Sequence, residues 1–268
     1  MNPLLAAILG IVEGITEYLP ISSTGHLILA SRVLGLKGEG ADAFDVVIQL
    51  GAILAVVVHY RRLLLERTIG LASMKKESVS LLVALMLGFV PTAVVGFLLR
   101  KKIKALLFGP GPVAIALVAG GILMVVVEVI RAKREVKGLT GLEHVTPLRA
   151  FIIGVGQCLS MWPGSSRSMC TIVAGQLSGL STATAAEFSF LLGLPTLGAA
   201  TLYEAYKSRE ALAGVGALNV VIGLVVSFFV AWAVVAGFVT YLQKRGLLPF
   251  GVYRILLGAL VFLVLVRA

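Results

Sequence analysis

Two short stretches of this 268-residue chain collect most of the side chains suited to acid–base, nucleophilic or anion-binding chemistry. The first reads EGITEYLPISSTGH from Glu13 to His26. Glu13 and Glu17 are four residues apart and share one face of a helix. Two carboxylates on one face either hold a hard cation through oxygen or drive their protonation apart. Ser22, Ser23, Thr24 and Gly25 lead into the apolar segment LILASRVLGL, so hydroxyls and unpaired backbone N–H groups meet at a helix N-terminus, a place that suits an anion such as phosphate. One hydroxyl suffices for a cap, and three in a row exceed that need. His26 follows Ser23 by three residues, close enough for a turn to join imidazole and hydroxyl as base and nucleophile. The second stretch, WPGSSRSMCT from Trp162 to Thr171, sets Ser165, Ser166, Ser168 and Thr171 around Arg167. A guanidinium is the side chain best matched to phosphate, because its planar fork donates two parallel hydrogen bonds and stays charged.

What surrounds these polar stretches is apolar. The chain is 59% hydrophobic and 13% charged, with a mean hydropathy of +1.02, against about 45–50% and about 25% in soluble domains. An ordinary cytosolic enzyme is excluded, and a single all-α integral membrane domain over residues 1–268 is expected. Apolar runs at 42–60, 79–99, 112–132, 184–205, 213–241 and 251–267 predict six full spans. Regions 3–35 and 148–180 are instead broken midway, at Pro20–Gly25 and Pro163–Ser168. Limbs of about 13 to 17 residues reach about 20 to 26 Å, short of the roughly 30 Å hydrocarbon core. They read as re-entrant helical hairpins whose tips end inside the membrane, where ionisable groups are costly and functional by default.

The two broken regions resemble each other. Ile8-Leu9-Gly10-Ile11 precedes PISS, and Ile152-Ile153-Gly154-Val155 precedes PGSS. Asp45 and Gly51 match Glu187 and Gly193 at a common offset. The expectation is two repeats, about 1–140 and 145–268, each a hairpin plus three spans. Three spans between the hairpins make the repeats inverted, so the tips enter from opposite faces and converge near the midplane. Of the 23 Lys and Arg, thirteen, Arg254 among them, fall on one face and eight on the other. Arg32 and Arg167 lie within the hairpins. By the positive-inside rule both termini lie on the outer face. The first apolar run lacks a basic lead and carries Glu13 and Glu17, so it does not read as a cleaved signal peptide. Cys158 and Cys170 have no metal-ligand spacing and read as packing residues. His59 and His144 read as interface or loop histidines. The net charge of +10 sits in short clusters between apolar runs, a topology signal and not a nucleic-acid surface. Small-residue surfaces such as the Gly120-Gly121 span would suit a homodimer.

EGITEYLPISSTGH with PGSSRS, in a chain of this length, resembles the bacterial undecaprenyl-pyrophosphate phosphatase family, also called the bacitracin-resistance phosphatases, over nearly the whole chain. The resemblance implies hydrolysis of a C55 polyprenyl diphosphate to its monophosphate in the bacterial plasma (inner) membrane, recycling the carrier for cell-wall synthesis. It also implies that Glu13 and Glu17 are an acidic pair associated with a divalent cation, Mg2+ or Ca2+. Ser23 and His26 match the family's catalytic serine and histidine, Arg167 its diphosphate-gripping arginine and Thr171 the threonine closing that motif. One departure is Met169 and Cys170, where the family usually has Gly and another small residue. On the residues alone, Ser23 attacks with His26 as base, or His26 activates water directly. The rival reading is a polyprenyl-phosphate lipid transporter on the same inverted-repeat fold.

Overall fold

The computed structural model of the chain describes residues 1–107 and 109–266. In chain order its helices are α1 (Pro3–Thr16), α2 (Ser23–Val33), α3 (Glu39–Val47), α4 (Gln49–His59), α5 (Arg61–Ala72), α6 (Lys76–Leu107) and α7 (Pro110–Lys133). Then follow α8 (Pro147–Gln157), α9 (Arg167–Leu177), α10 (Thr182–Lys207), α11 (Arg209–Val215), α12 (Ala217–Arg245) and α13 (Leu248–Val261). Among the described residues the only β-type pairing is a bridge between Leu139 and Leu180. The protein is an all-α, multi-pass membrane protein. Glu39–His59, Lys76–Leu99, Pro110–Lys133, Thr182–Lys207 and Ala217–Arg245 are each long and apolar enough to cross a membrane, and they match five of the six predicted spans. The sixth, predicted at 251–267, is a shorter apolar helix, Leu248–Val264, started by a proline in its first turn. Arg267 lies outside the described residues, as do the side chains of Arg100 and Lys104, so three of the charges counted toward the outer face are not located.

The broken regions form the two expected hairpins, α1–α2 and α8–α9. Their limbs are 14, 11, 11 and 11 residues, or about 16 to 21 Å, three of them shorter than predicted because residues 17–22 and 158–166 leave the α-helix to build the tips. Each outer limb begins on a side-chain cap followed by proline. Asn2 Oδ1 accepts from Leu5 N–H (2.9 Å) and Thr146 Oγ1 from Arg149 N–H (3.4 Å).

Glycines let the limbs approach their neighbours closely. A Cβ on Gly10 would stand 2.8 Å from the carbonyl oxygen of Gly223, and one on Gly154 would stand 2.6 Å from that of Gly88. Thus α1 lies along α12, α8 lies along α6, and α7 packs on α13. The Gly120–Gly121 pair is consumed by that last contact: Gly120 faces the Arg254 guanidinium and Gly121 the Gly251 carbonyl. The surface on which a homodimer was expected is therefore internal to one chain.

Three of the basic residues counted at the membrane face have structural work. Arg131 donates to the carbonyls of Gln176 (2.8 Å) and Leu180 (3.2 Å), and Arg149 to those of Ser178 (3.0 Å) and His144 (2.9 Å), closing the C-terminal end of α9. Arg254 departs from expectation outright. It is fully buried between the hairpin tips and is not a loop charge.

Candidate active site

The geometry starts at two serines with left-handed backbone. Ser22 (φ 73°) and Ser166 (φ 69°) are the N-cap residues of α2 and α9. Ser22 Oγ accepts from Gly25 N–H (3.3 Å) and Ser166 Oγ from Met169 N–H (3.2 Å). A non-glycine residue held there costs about 1–3 kcal/mol, and such strain persists only where the surroundings over-determine it. The gain is direction: the first helical residues, Ser23 and Arg167, both turn toward Glu17.

Glu17 joins the hairpins. Its Oε2 accepts from Ser23 Oγ at 2.6 Å, its Oε1 pairs with Arg167 Nη2 at 3.1 Å, and its carbonyl accepts from Ser168 Oγ at 3.1 Å. The side chains of Glu17 and Arg167 are only 5% and 7% exposed, so this ion pair is poorly screened by water. Arg167 Nη1 donates to the Ser189 carbonyl (2.9 Å) and hydroxyl (3.2 Å) on α10. Thr171 Oγ1 lies 2.6 Å from the same hydroxyl and 2.9 Å from the Arg167 carbonyl. The Tyr18 ring stacks 5.4 Å from the guanidinium carbon while its O–H donates to the Ala52 carbonyl (3.0 Å). Gly193 leaves the room Arg167 needs, since a Cβ there would stand 3.0 Å from Nη2. The sequence match of Gly51 with Gly193 flagged this glycine, whereas nothing flagged Ser189.

Two unspent groups remain at the junction. Arg167 Nε is buried without an acceptor, and both carboxylate oxygens of the fully buried Glu13 lack a donor. A site with a spare N–H and spare carboxylate oxygens has something for an anion and something for a cation. Asp45, held on one oxygen by Ser31 Oγ (3.2 Å), repels Glu13 electrostatically, as Glu17 does. Among the described residues no group of three or more His, Cys, Asp and Glu is placed to hold a metal.

His26 does not engage Ser23. Its Nδ1 lies 2.7 Å from the Ser22 carbonyl, which can only accept, so Nδ1 carries the proton. Nε2 then offers its lone pair and accepts from Tyr253 Oη at 2.7 Å. The expected serine–histidine pairing is not formed: both ring nitrogens of His26 are engaged elsewhere, and Glu17 takes the Ser23 proton donor. Of the other expected residues, Ser165 is buried with its N–H on the Trp162 carbonyl (3.0 Å), Gly25 is buried against Leu117, and Thr24 is half-buried in the first turn of α2. Met169 and Cys170 are both buried, and Gly120 makes way for the Met169 side chain.

Arg254 is the residue that charge counting misplaced. It donates through Nη1 to the Pro20 carbonyl (3.3 Å) and through Nη2 to those of Gly164 (2.9 Å) and Ala116 (3.1 Å), so it ties both tips to α7.

Known proteins resemble this chain over nearly its whole length. The family model described as "Bacitracin resistance protein BacA" matches residues 6–260. A protein of Sorangium cellulosum named "Undecaprenyl-diphosphatase" is 56% identical over 258 residues, covering 96% of this chain and 84% of that protein. One of the same name from Campylobacter fetus is 46% identical over 97% of this chain and 98% of its own length. Another, from Deinococcus radiodurans, is 44% identical over 100% and 97%. With a family match across nearly its whole length and relatives this similar end to end, the chain belongs to the bacitracin resistance protein BacA family.

Proposed function

We infer that this protein hydrolyses undecaprenyl diphosphate to undecaprenyl phosphate and inorganic phosphate, returning the lipid carrier to cell-wall synthesis and lending resistance to bacitracin. The observation that carries the chemistry is Glu17 receiving the Ser23 hydroxyl and the Arg167 guanidinium from opposite hairpins. Arg167, its spare Nε, and the N–H groups opening α2 and α9 with the hydroxyls of Ser22, Thr24, Ser165 and Ser166 supply the anion cradle, while Ser168 holds the Glu17 carbonyl. Ser23 Oγ attacks the terminal phosphorus as its proton passes to Glu17. The bridging P–O bond breaks, and its electron pair stays with the lipid phosphate. Water then attacks the phosphoserine while His26 Nε2 takes one of its protons, and the departing Ser23 oxygen recovers the proton held by Glu17.

Purified protein in micelles should release phosphate from undecaprenyl diphosphate, and acid quenching with substrate labelled on the terminal phosphorus should leave label on Ser23. Ser23→Ala should lose both. An active enzyme that never carries label would hand the attack to water. Lipid movement across a vesicle membrane with no phosphate release would replace the enzyme by a transporter.

The acidic pair suits a divalent cation, Mg2+ or Ca2+, in one specific way. Glu17 has both oxygens committed, while Glu13 has two free, and a cation held by one or two carboxylates and substrate phosphates needs no further protein cage. Bound there, the cation would neutralise charge on the diphosphate. Chelation should abolish activity, with Mg2+ or Ca2+ restoring it, and Glu13→Ala should raise the cation concentration for half-maximal rate at least about tenfold. Full activity of Glu13→Ala at wild-type cation levels would remove Glu13 from this role.

An inverted twofold relation between residues 1–140 and 145–268, within one membrane domain, accounts for several separate pairs: Gly10 on Gly223 with Gly154 on Gly88, α1 on α12 with α8 on α6, and Ser22 with Ser166. Placement in the bacterial plasma membrane with both termini outside follows from the same reading. Removing Arg254 from the charge count leaves twelve against eight, the same sense of bias.

A further inference from the structure

We propose that Tyr253 is a positioning residue for His26: its hydroxyl, bonded to the lone-pair nitrogen Nε2, fixes the orientation of the imidazole beside the first hairpin tip. The inference rests on the hydrolytic reading above, and it assigns a role to a residue of α13, far from both hairpin motifs in sequence.

The geometry has two halves. The Ser22 carbonyl, 2.7 Å from Nδ1, sets the tautomer. The Tyr253 hydroxyl, 2.7 Å from Nε2, sets the rotation of the ring about its side-chain bonds, because the two rings lie nearly parallel (6°) with centroids 5.7 Å apart. A histidine held from one nitrogen alone can still swing, whereas one held from both cannot. Tyr253 is itself fixed, since the next residue, Arg254, is anchored on the Pro20, Gly164 and Ala116 carbonyls. Arg254 is also the charged group that α13 sets against His26. Tyr253 is 42% exposed, so its O–H is free to rotate away from Nε2. When it does so, the Nε2 lone pair it had covered becomes the acceptor for the proton of the attacking water, with no further reagent required.

The test is Tyr253→Phe, which keeps the ring and removes the hydroxyl, in full-length protein in micelles. With 15N-labelled histidine, the His26 Nε2 resonance, identified by its loss in His26→Gln, should move in Tyr253→Phe as its hydrogen bond disappears. The turnover number for undecaprenyl diphosphate should fall about tenfold while KM stays within about twofold, the expectation for one lost orienting hydrogen bond. In a His26→Gln background the same substitution should cost nothing more, because Tyr253 acts only through the imidazole. An unmoved His26 resonance overturns the contact, and additive losses in the double variant overturn the positioning role. If the wild-type protein releases no phosphate, the hydrolytic reading falls, and the nitrogen resonance still decides whether Tyr253 holds His26.

Discussion

Replacing Arg167 by alanine should lower phosphate release from undecaprenyl diphosphate by about a thousandfold, and it should destabilise the protein as well. The guanidinium serves Glu17 at 3.1 Å and the Ser189 carbonyl at 2.9 Å at once, with Nε to spare. On the proposed mechanism its loss removes the cation that grips the phosphate. It also leaves Glu17 buried without its ion partner, which costs about 3 to 5 kcal/mol in comparable buried pairs. Two companion variants separate these effects. Arg167→Lys keeps the charge but not the fork, and its single ammonium cannot reach Glu17 and Ser189 together, so it should still lose about a hundredfold. Arg167→Ala with Glu17→Gln removes both charges, so thermal stability in micelles should recover by more than half while activity stays lost. Retention of over a tenth of wild-type turnover by Arg167→Ala would sink its role as the phosphate grip.

The hairpin tips were legible because proline and serine clusters interrupt apolar runs too short to cross a bilayer in halves, and because Glu, His and Arg stand where hydrocarbon is the alternative. Which group Ser23 would address was not legible. That depends on positive φ at Ser22, and a serine gives no sign of it where a glycine would have. The hydroxyl of Ser189 and the amide of Gln157 were hidden for another reason. Small polar residues within apolar helices are common packing devices and look alike until their partners are known. Gln157 proves to donate to the hydroxyls of Thr92 (2.9 Å) and Thr196 (3.4 Å), each directly after a helix proline. Thr196 in turn donates to the Leu192 carbonyl (2.8 Å), one way of occupying backbone groups that a membrane proline disturbs. Arg254 was misread by rule. Counting basic residues near the end of an apolar run assigns them to a loop, yet this one lies a turn beyond Gly251 and faces Gly120 of α7. An arginine among glycines inside a helix was itself the signal.

Substituting Arg254 by methionine should cost about a hundredfold in turnover with little change in thermal stability. The guanidinium is fully buried, and among the described residues no carboxylate pairs with it; it is held by three backbone carbonyls, while Nε has no partner. Burial of an uncompensated cation is expensive, so methionine relieves that cost while forfeiting the hydrogen bonds, and the two changes oppose each other in stability. In geometry nothing offsets the loss. Pro20 and Gly164 are tip residues of different hairpins, and Arg254 binds both from a third element, α13. Without that tie the hydrogen bonds joining the tips, among the described residues, are those of Glu17 with Arg167 and Ser168, and a displacement of about 1 Å between Ser23 and a bound phosphate is enough to cost about a hundredfold. Arg254→Lys distinguishes the tie from the charge. An ammonium restores the positive field near His26 but cannot span three carbonyls, so turnover should stay as low as in Arg254→Met. Recovery by lysine would show that the field and not the tie supports catalysis, and a drop in stability matching the drop in turnover would reduce Arg254 to a residue of the fold.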